Sequence, residues 1–296
     1  MKNKIWNNPI FYIFLFFGAI VVFDFIPLLY TIAISFTDAS AINTGSWSFV
    51  WLDNFRRVFS DTRFLTSWRN TLLLCFMFIP VSITLGLIIS MFLYNKYVKF
   101  RHFFQIILLI PYIIPTVVLS IMFIVIFDPN FGIVNQLLPI DINWFNNPNA
   151  ARVLTALILI WKYTGFNIIL FSSVLSSIPP HIIEAAHIDG AGIFKTTLHI
   201  KLPFLKNIIF YAIVINFING LFVVEEPMLL FSGWLSGLRI VGGPQRSVLT
   251  LMWYLLDTAF GTTMNYGKAG AISTIKILSI SFVVILANKL RKRDNL

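Results

Sequence analysis

The chain has 296 residues, of which 58% are hydrophobic and 11% charged, where a soluble domain of this length carries roughly a quarter charged residues. Its formal charge of +10 sits beside apolar blocks, so the excess reads as membrane topology and lipid contact and argues against nucleic-acid binding. Cys75 is the only cysteine and lies in an apolar run, which excludes an intrachain disulfide and a cysteine-rich metal site.

A helix needs about 20 apolar residues to cross a bilayer. Six stretches meet this length in chain order: 10–36, 71–94, 103–127, 153–177, 208–231 and 269–290. The first follows Lys2 and Lys4, is too long for a signal-peptide core and lacks a small-residue cleavage site, so it reads as a retained helix. Pro80, Pro111 and Pro115 fall inside the second and third spans, where each removes a backbone donor and favours a bend. The fifth span is the least clean, because Glu225 and Glu226 interrupt its end. The pattern predicts an all-α membrane protein forming one domain over residues 1–296.

Lysine and arginine orient these spans. Lys96, Lys99 and Arg101 follow the second; Lys195, Lys201 and Lys206 follow the fourth; Lys289, Arg291, Lys292 and Arg293 follow the sixth. Together with Lys2 and Lys4 they put both termini and the loops after spans two and four in the cytoplasm. The loop 128–150 holds no Lys or Arg and belongs outside. Arg56, Arg57, Arg63 and Arg69 in the first external loop run against the rule, although the even span number keeps the remaining loops consistent.

Charges inside the spans carry information, because each costs about 2.5–3.5 kcal/mol at a helix centre. Asp24, Lys162 and Lys276 are of this kind. They line a polar translocation path, pair between helices, or, for the lysines, snorkel to the interface. Lys162 has Glu225 and Glu226 as candidate partners. Around it, Trp161, Tyr163 and Asn167 supply aromatic faces and an amide, the groups that bind sugar C–H surfaces and hydroxyls, and Asn216, Asn219, Glu225 and Glu226 add further polar groups. Interfacial anchoring and interhelical hydrogen bonding are the competing roles for the same residues.

No catalytic constellation emerges. Gly190-x-Gly192-x-x-Lys195-Thr196 superficially resembles a phosphate loop, but Phe194 stands where glycine is required and no strand precedes it; Gly267-Lys268 is followed by Ala269, which has no hydroxyl for a metal. His102, His181, His187 and His199 lack metal-ligand spacing, and no nucleophile elbow is present.

The longest polar interruption, residues 178–203, has a different character. Pro180 opens a short helix, Gly190 and Gly192 end it, and a second short helix places Ile193, Phe194 and Leu198 on one side before Leu202-Pro203. Such a pair offers an apolar ridge to a partner's groove. Glu184-Ala185-Ala186, Asp189-Gly190-Ala191 and Ile200-x-Leu202-Pro203 resemble the coupling loop of permeases in binding-protein-dependent ABC importers. Trp51-Leu52-Asp53-Asn54-Phe55, Asp61, Asn70-Thr71, Pro111-Tyr-Ile-Ile-Pro115, Gly242-Gly243-Pro244, Thr250, Tyr254 and Tyr266-Gly267 are similar to the first permease of the maltose-type carbohydrate branch, in its short six-helix form.

That resemblance implies a type I ABC importer permease fold with a cytoplasmic coupling helix, in a bacterial-type plasma membrane. It also implies a second homologous permease, two ATPase subunits that hold ATP and Mg, and an extracytoplasmic solute-binding protein that delivers a carbohydrate. This chain would itself bind no cofactor and catalyse nothing. Glu184 would stabilise the loop, Gly190 would permit its turn, and Ala185, Ala186, Asp189, Ile200 and Pro203 would complete the ATPase contact. The competing readings are an importer permease for a non-sugar solute, an ion-coupled carrier using Asp24 or Glu225, and a membrane enzyme with dispersed polar residues.

Overall fold

The computed structural model describes residues 9–43, 47–94, 98–137, 142–233, 240–261 and 263–294. Lys2, Lys4 and Lys96, which enter the topology argument, lie outside them. The described residues are helical apart from turns and one isolated bridge, Thr37 to Phe49. The chain groups into two compact units: Met1–Leu65 with Leu255–Ile285, and Thr66–Tyr254 with Leu286–Leu296.

In the first unit, α1 (Pro9–Ile20) and α2 (Ile26–Ile34) run together through a wide π-turn at Val21–Phe25. The cause is Pro27. It cannot donate to the carbonyl one α-turn back, and the wider turn, closed by Ile26 N–H to Val21 O, absorbs the missing bond. This 26-residue helix is apolar on all sides and buries none of its residues. After it, Asp38 accepts from Ser48 N at 2.7 Å and Ser48 Oγ at 2.6 Å, and these bonds hold its carboxyl below the usual carboxylate range. Helix α3 (Asp53–Ser60) places Asn54 so that its amide donates to the carbonyls of Ser35 (2.9 Å) and Thr37 (2.7 Å). Asp61 receives Lys268 Nζ at 2.6 Å.

Helix α4 (Thr62–Leu93) is continuous for 32 residues, and Pro80 does not interrupt it. The expected span 103–127 is two helices, α5 (Arg101–Ile113) and α6 (Thr116–Ile126), bent by 92°. Pro115 is the N-cap of α6, and Ile114 before it is extended, as the residue preceding a proline prefers. Pro111 stays inside α5. A short α7 (Ile133–Leu137) leads to α8 (Pro148–Ser176), which Asn147 caps by accepting from the amides of Asn149 and Ala150.

Helices α9 (Pro180–Ile188) and α10 (Ile193–Thr196) form the polar interruption. A second π-turn at Thr197–Lys201 then leads directly into α11 (Leu202–Phe222). This turn again ends two residues before a proline, Pro203, for the same reason as at Pro27. The long helix here covers Ile193–Phe222 and not 208–231: it breaks at Val223–Val224, and Glu225–Phe231 forms a separate helix, α12. Next come α13 (Leu251–Phe260) and α14 (Tyr266–Asp294). Five described helices are long and apolar enough to span a membrane, and the bent α5–α6 pair brings the number to six.

In the second unit α8 is the central element, packed on α5, α11 and α12. Leu154, Ile158, Leu159, Ile168, Phe171 and Leu175 on it are fully enclosed. Gly165 lets α5 approach closely, since a Cβ at this position would collide with the carbonyl oxygen of Leu108.

Candidate functional site: a buried polar centre and an exposed apolar ridge

Two constellations emerge within the second unit. The first surrounds Lys162 on α8. Its ammonium donates to Glu226 Oε1 at 2.7 Å and to Thr116 Oγ1 at 3.3 Å. The pair is largely removed from solvent, with side-chain exposures of 16% for Lys162 and 5% for Glu226. Both partners open helices that follow breaks: Thr116 starts α6 after Pro115, and Glu226 sits in the first turn of α12 after the Val223–Val224 break. The breaks bring polar groups to the middle of an apolar bundle, where a charge is retained only when it is paired and hydrogen-bonded. Of the two candidate partners the sequence offers, the structure pairs Lys162 with Glu226. Glu225 is exposed and makes no ion pair or hydrogen bond among the described residues.

One helical turn further along α8, Asn167 donates to Ser82 Oγ at 3.4 Å and accepts from Asn216 Nδ2 at 2.9 Å. Asn216 also donates to Ala212 O at 2.7 Å, while its own amide oxygen is buried without a partner. This chain of amides links α4, α8 and α11 with both asparagines fully enclosed. Tyr163 is buried, with its ring centroid 5.3 Å from Phe78 and 6.1 Å from Tyr112. Asn219 is half-buried and has no hydrogen bond among the described residues. Asp24 belongs to neither cluster; it lies exposed in the π-turn of the first helix. Thr116 and Ser82 complete these clusters although the sequence does not single them out. They are 46 and 85 residues from their partners, and no local pattern signals the contact.

The second constellation is 178–203. Helix α9 closes with a Schellman motif: Ala191 N–H donates to Ala186 O at 2.8 Å and Gly190 N–H to His187 O at 3.1 Å. Gly190 adopts φ +76°, a conformation open to glycine and costly for other residues. Gly192 then serves as an extended N-cap for α10, and Thr196 Oγ1 returns to Gly192 O at 3.1 Å. The apolar residues this holds in place are uncovered: Ile188 is 86% exposed, Ile193 71% and Phe194 79%. Glu184, Ala185, Asp189 and Pro203 are exposed, and Ala186 and Ile200 half-buried. Glu184 makes no hydrogen bond or ion pair among the described residues.

Other residues behind the family resemblance act as internal ties. Asn70 donates to the carbonyls of Arg246 (2.8 Å) and Leu249 (3.2 Å), and Thr71 Oγ1 receives Leu251 N at 2.8 Å. These bonds fix the segment leading into α13.

Residues 82–293 match the family of binding-protein-dependent transport system inner membrane components, and this chain belongs to that family. It is 34% identical to the arabinooligosaccharides transport system permease protein AraP of Bacillus subtilis over 89% of this chain and 82% of that protein. It is 29% identical to the diacetylchitobiose uptake system permease protein NgcF of Streptomyces coelicolor, over 91% of this chain and 79% of that protein. Its fold matches a chain of a bacterial alginate ABC transporter in complex with an alginate pentasaccharide-bound periplasmic protein, with a TM-score of 0.80, 21% identity, and coverage of 99% of this chain and 97% of that one. The chain is a multi-pass membrane protein of a transport system.

Proposed function

We propose that this chain is one of two permease subunits in an ATP-driven ABC importer that takes up an oligosaccharide delivered by an extracytoplasmic binding protein. The observation that carries the reading is the ridge of Ile188, Ile193 and Phe194. Three large apolar side chains stand in the open on a helix pair whose turn is closed by its own backbone. A solvated loop gains nothing from such a surface, whereas a groove on a partner covers it. Glu184, Ala185, Ala186, Asp189, Gly190, Ile200 and Pro203 form or flank the docked segment. ATP and Mg sit on two partner ATPases, because the chain carries no phosphate loop. Both termini and the ridge face the cytoplasm. Closure of the ATPases on ATP favours one arrangement of the permease pair and thereby moves the solute path.

The oligosaccharide assignment draws on the two relatives named for oligosaccharide uptake and on the aromatic and amide groups near Lys162. Asn219 and Glu225, accessible and without partners among the described residues, are the positions from which a passing sugar is best contacted. Lys162, Tyr163, Asn167 and Asn216 shape the path from behind.

Reconstitution in proteoliposomes with the ATPases, the second permease and the binding protein tests this. Uptake of labelled oligosaccharide should require ATP, and Gly190→Pro or Ala186→Glu should leave insertion intact while separating ATP hydrolysis from uptake. Uptake by this chain alone under an ion gradient would overturn the importer reading. Import of only a non-sugar solute captured by the binding protein would overturn the substrate class alone.

A further inference from the structure

The ends of α4 and α8 and the start of α5 enclose a cavity of about 230 Å³. Its polar walls are Tyr94, Arg101, His102, Gln105, Ser173 and Ser176, and no carboxylate lines it among the described residues. Arg101 makes no ion pair or hydrogen bond among the described residues, and neither do the hydroxyls of Ser173 and Ser176. Ser172, on the same wall, is 9% exposed, and its hydroxyl is enclosed without a partner. His102 Nδ1 lies 3.2 Å from Gln105 Oε1, an acceptor, which leaves the Gln105 amide hydrogens to point elsewhere. Lys201 stands over the Tyr94 ring, its ammonium 5.0 Å from the centroid, and brings a second cation to the cavity's edge. A cavity rich in donors and cations and free of carboxylates is complementary to an anion with several acceptor oxygens.

The surroundings identify the carrier of that anion. The cavity opens where apolar spans end, and Phe100 (79% exposed), Phe103 (57%) and Phe104 (45%) stand uncovered on the chain that forms it. A soluble phosphate has no use for these faces, while acyl chains cover them. Basic pockets between helix ends on the cytoplasmic side suit anionic headgroups. We infer that this cavity seats the phosphoryl headgroup of an anionic glycerophospholipid from the leaflet on the ridge side of the membrane. The assignment of that leaflet to the cytoplasmic face rests on the orientation proposed above.

Native mass spectrometry of the full chain in its assembled transporter, released from micelles of phosphatidylcholine with or without phosphatidylglycerol, tests the site. The wild type should retain phosphatidylglycerol in preference to phosphatidylcholine. Arg101→Gln should weaken retention about fivefold, the contribution of one basic group at a membrane surface. Ser176→Leu, which fills the cavity at an exposed position, should abolish retention without loss of assembly. Retention unchanged in both variants overturns the site, and displacement of the lipid by inorganic phosphate overturns the lipid as its occupant. Lys195→Cys separates this from the orientation, because native Cys75 is buried: labelling only from the extracytoplasmic side would defeat the cytoplasmic assignment whatever the lipid result.

Discussion

The centre around Lys162 and the ridge at 188–198 invert one another. In the first, charged and amide groups lie inside an apolar bundle and pair with each other, Lys162 with Glu226 and Asn167 with Asn216, although the Asn216 amide oxygen keeps no partner. In the second, isoleucines and a phenylalanine stand on a polar surface and touch little. The difference separates what one chain settles alone from what a second chain must settle. A buried charge left unpaired costs several kcal/mol, so the centre is closed internally. Exposed apolar area is tolerated in a single chain and becomes useful only when a partner removes it from water.

Substitutions that treat the two regions alike should therefore give opposite results. The largest loss of stability is expected for Lys162→Met alone, which strands Glu226: about 3–5 kcal/mol in unfolding of the purified chain. Pairing it with Glu226→Leu should recover most of that loss, and a double-mutant cycle with no coupling would remove the ion pair from the account. Gly165→Ala comes next, because α5 must retreat from the added methyl; a cost of about 1–3 kcal/mol is expected, read as a lower thermal midpoint. Gly190→Ala strains only the φ +76° turn, with no neighbour to strike, and should cost about 1 kcal/mol, visible as faster hydrogen exchange confined to α9 and α10. Phe194→Ser should change stability by less than about 0.5 kcal/mol. It should nevertheless abolish ATP-driven uptake and the co-purification of an ATPase. A Phe194→Ser subunit that still captures its ATPase would leave the ridge without a purpose.

Much of the helix pair was readable in advance, because its signals are local. Pro180 starts a helix, Gly190 accepts a left-handed turn, and Pro203 follows a segment that must return to the membrane. The prolines were less transparent. Pro80 and Pro111 lie within helices, while Pro115 accompanies a 92° bend and Pro27 and Pro203 follow π-turns. The missing donor is the same in each case, and the neighbouring chain decides whether a bend, a wider turn or nothing visible results. In the fifth apolar stretch hydropathy continues past Val223, whereas the helix stops there and restarts at Glu225. Asn167 and Asn216 were marked as sugar-binding candidates by residue type. Their mutual bond and complete burial favour a packing role in this arrangement, and join residues 49 apart in the chain.

The order of residues alone carried the membrane class, the approximate placement of the spans and the presence of an apolar ridge on the polar interruption, since these follow from run length, charge beside apolar blocks and turn chemistry. The choice of Glu226 over Glu225, the recruitment of Thr116 and Ser82, and the close approach at Gly165 came from folding in three dimensions. Such contacts arise where helices distant in sequence cross, and no periodicity within one helix specifies which neighbour will meet it.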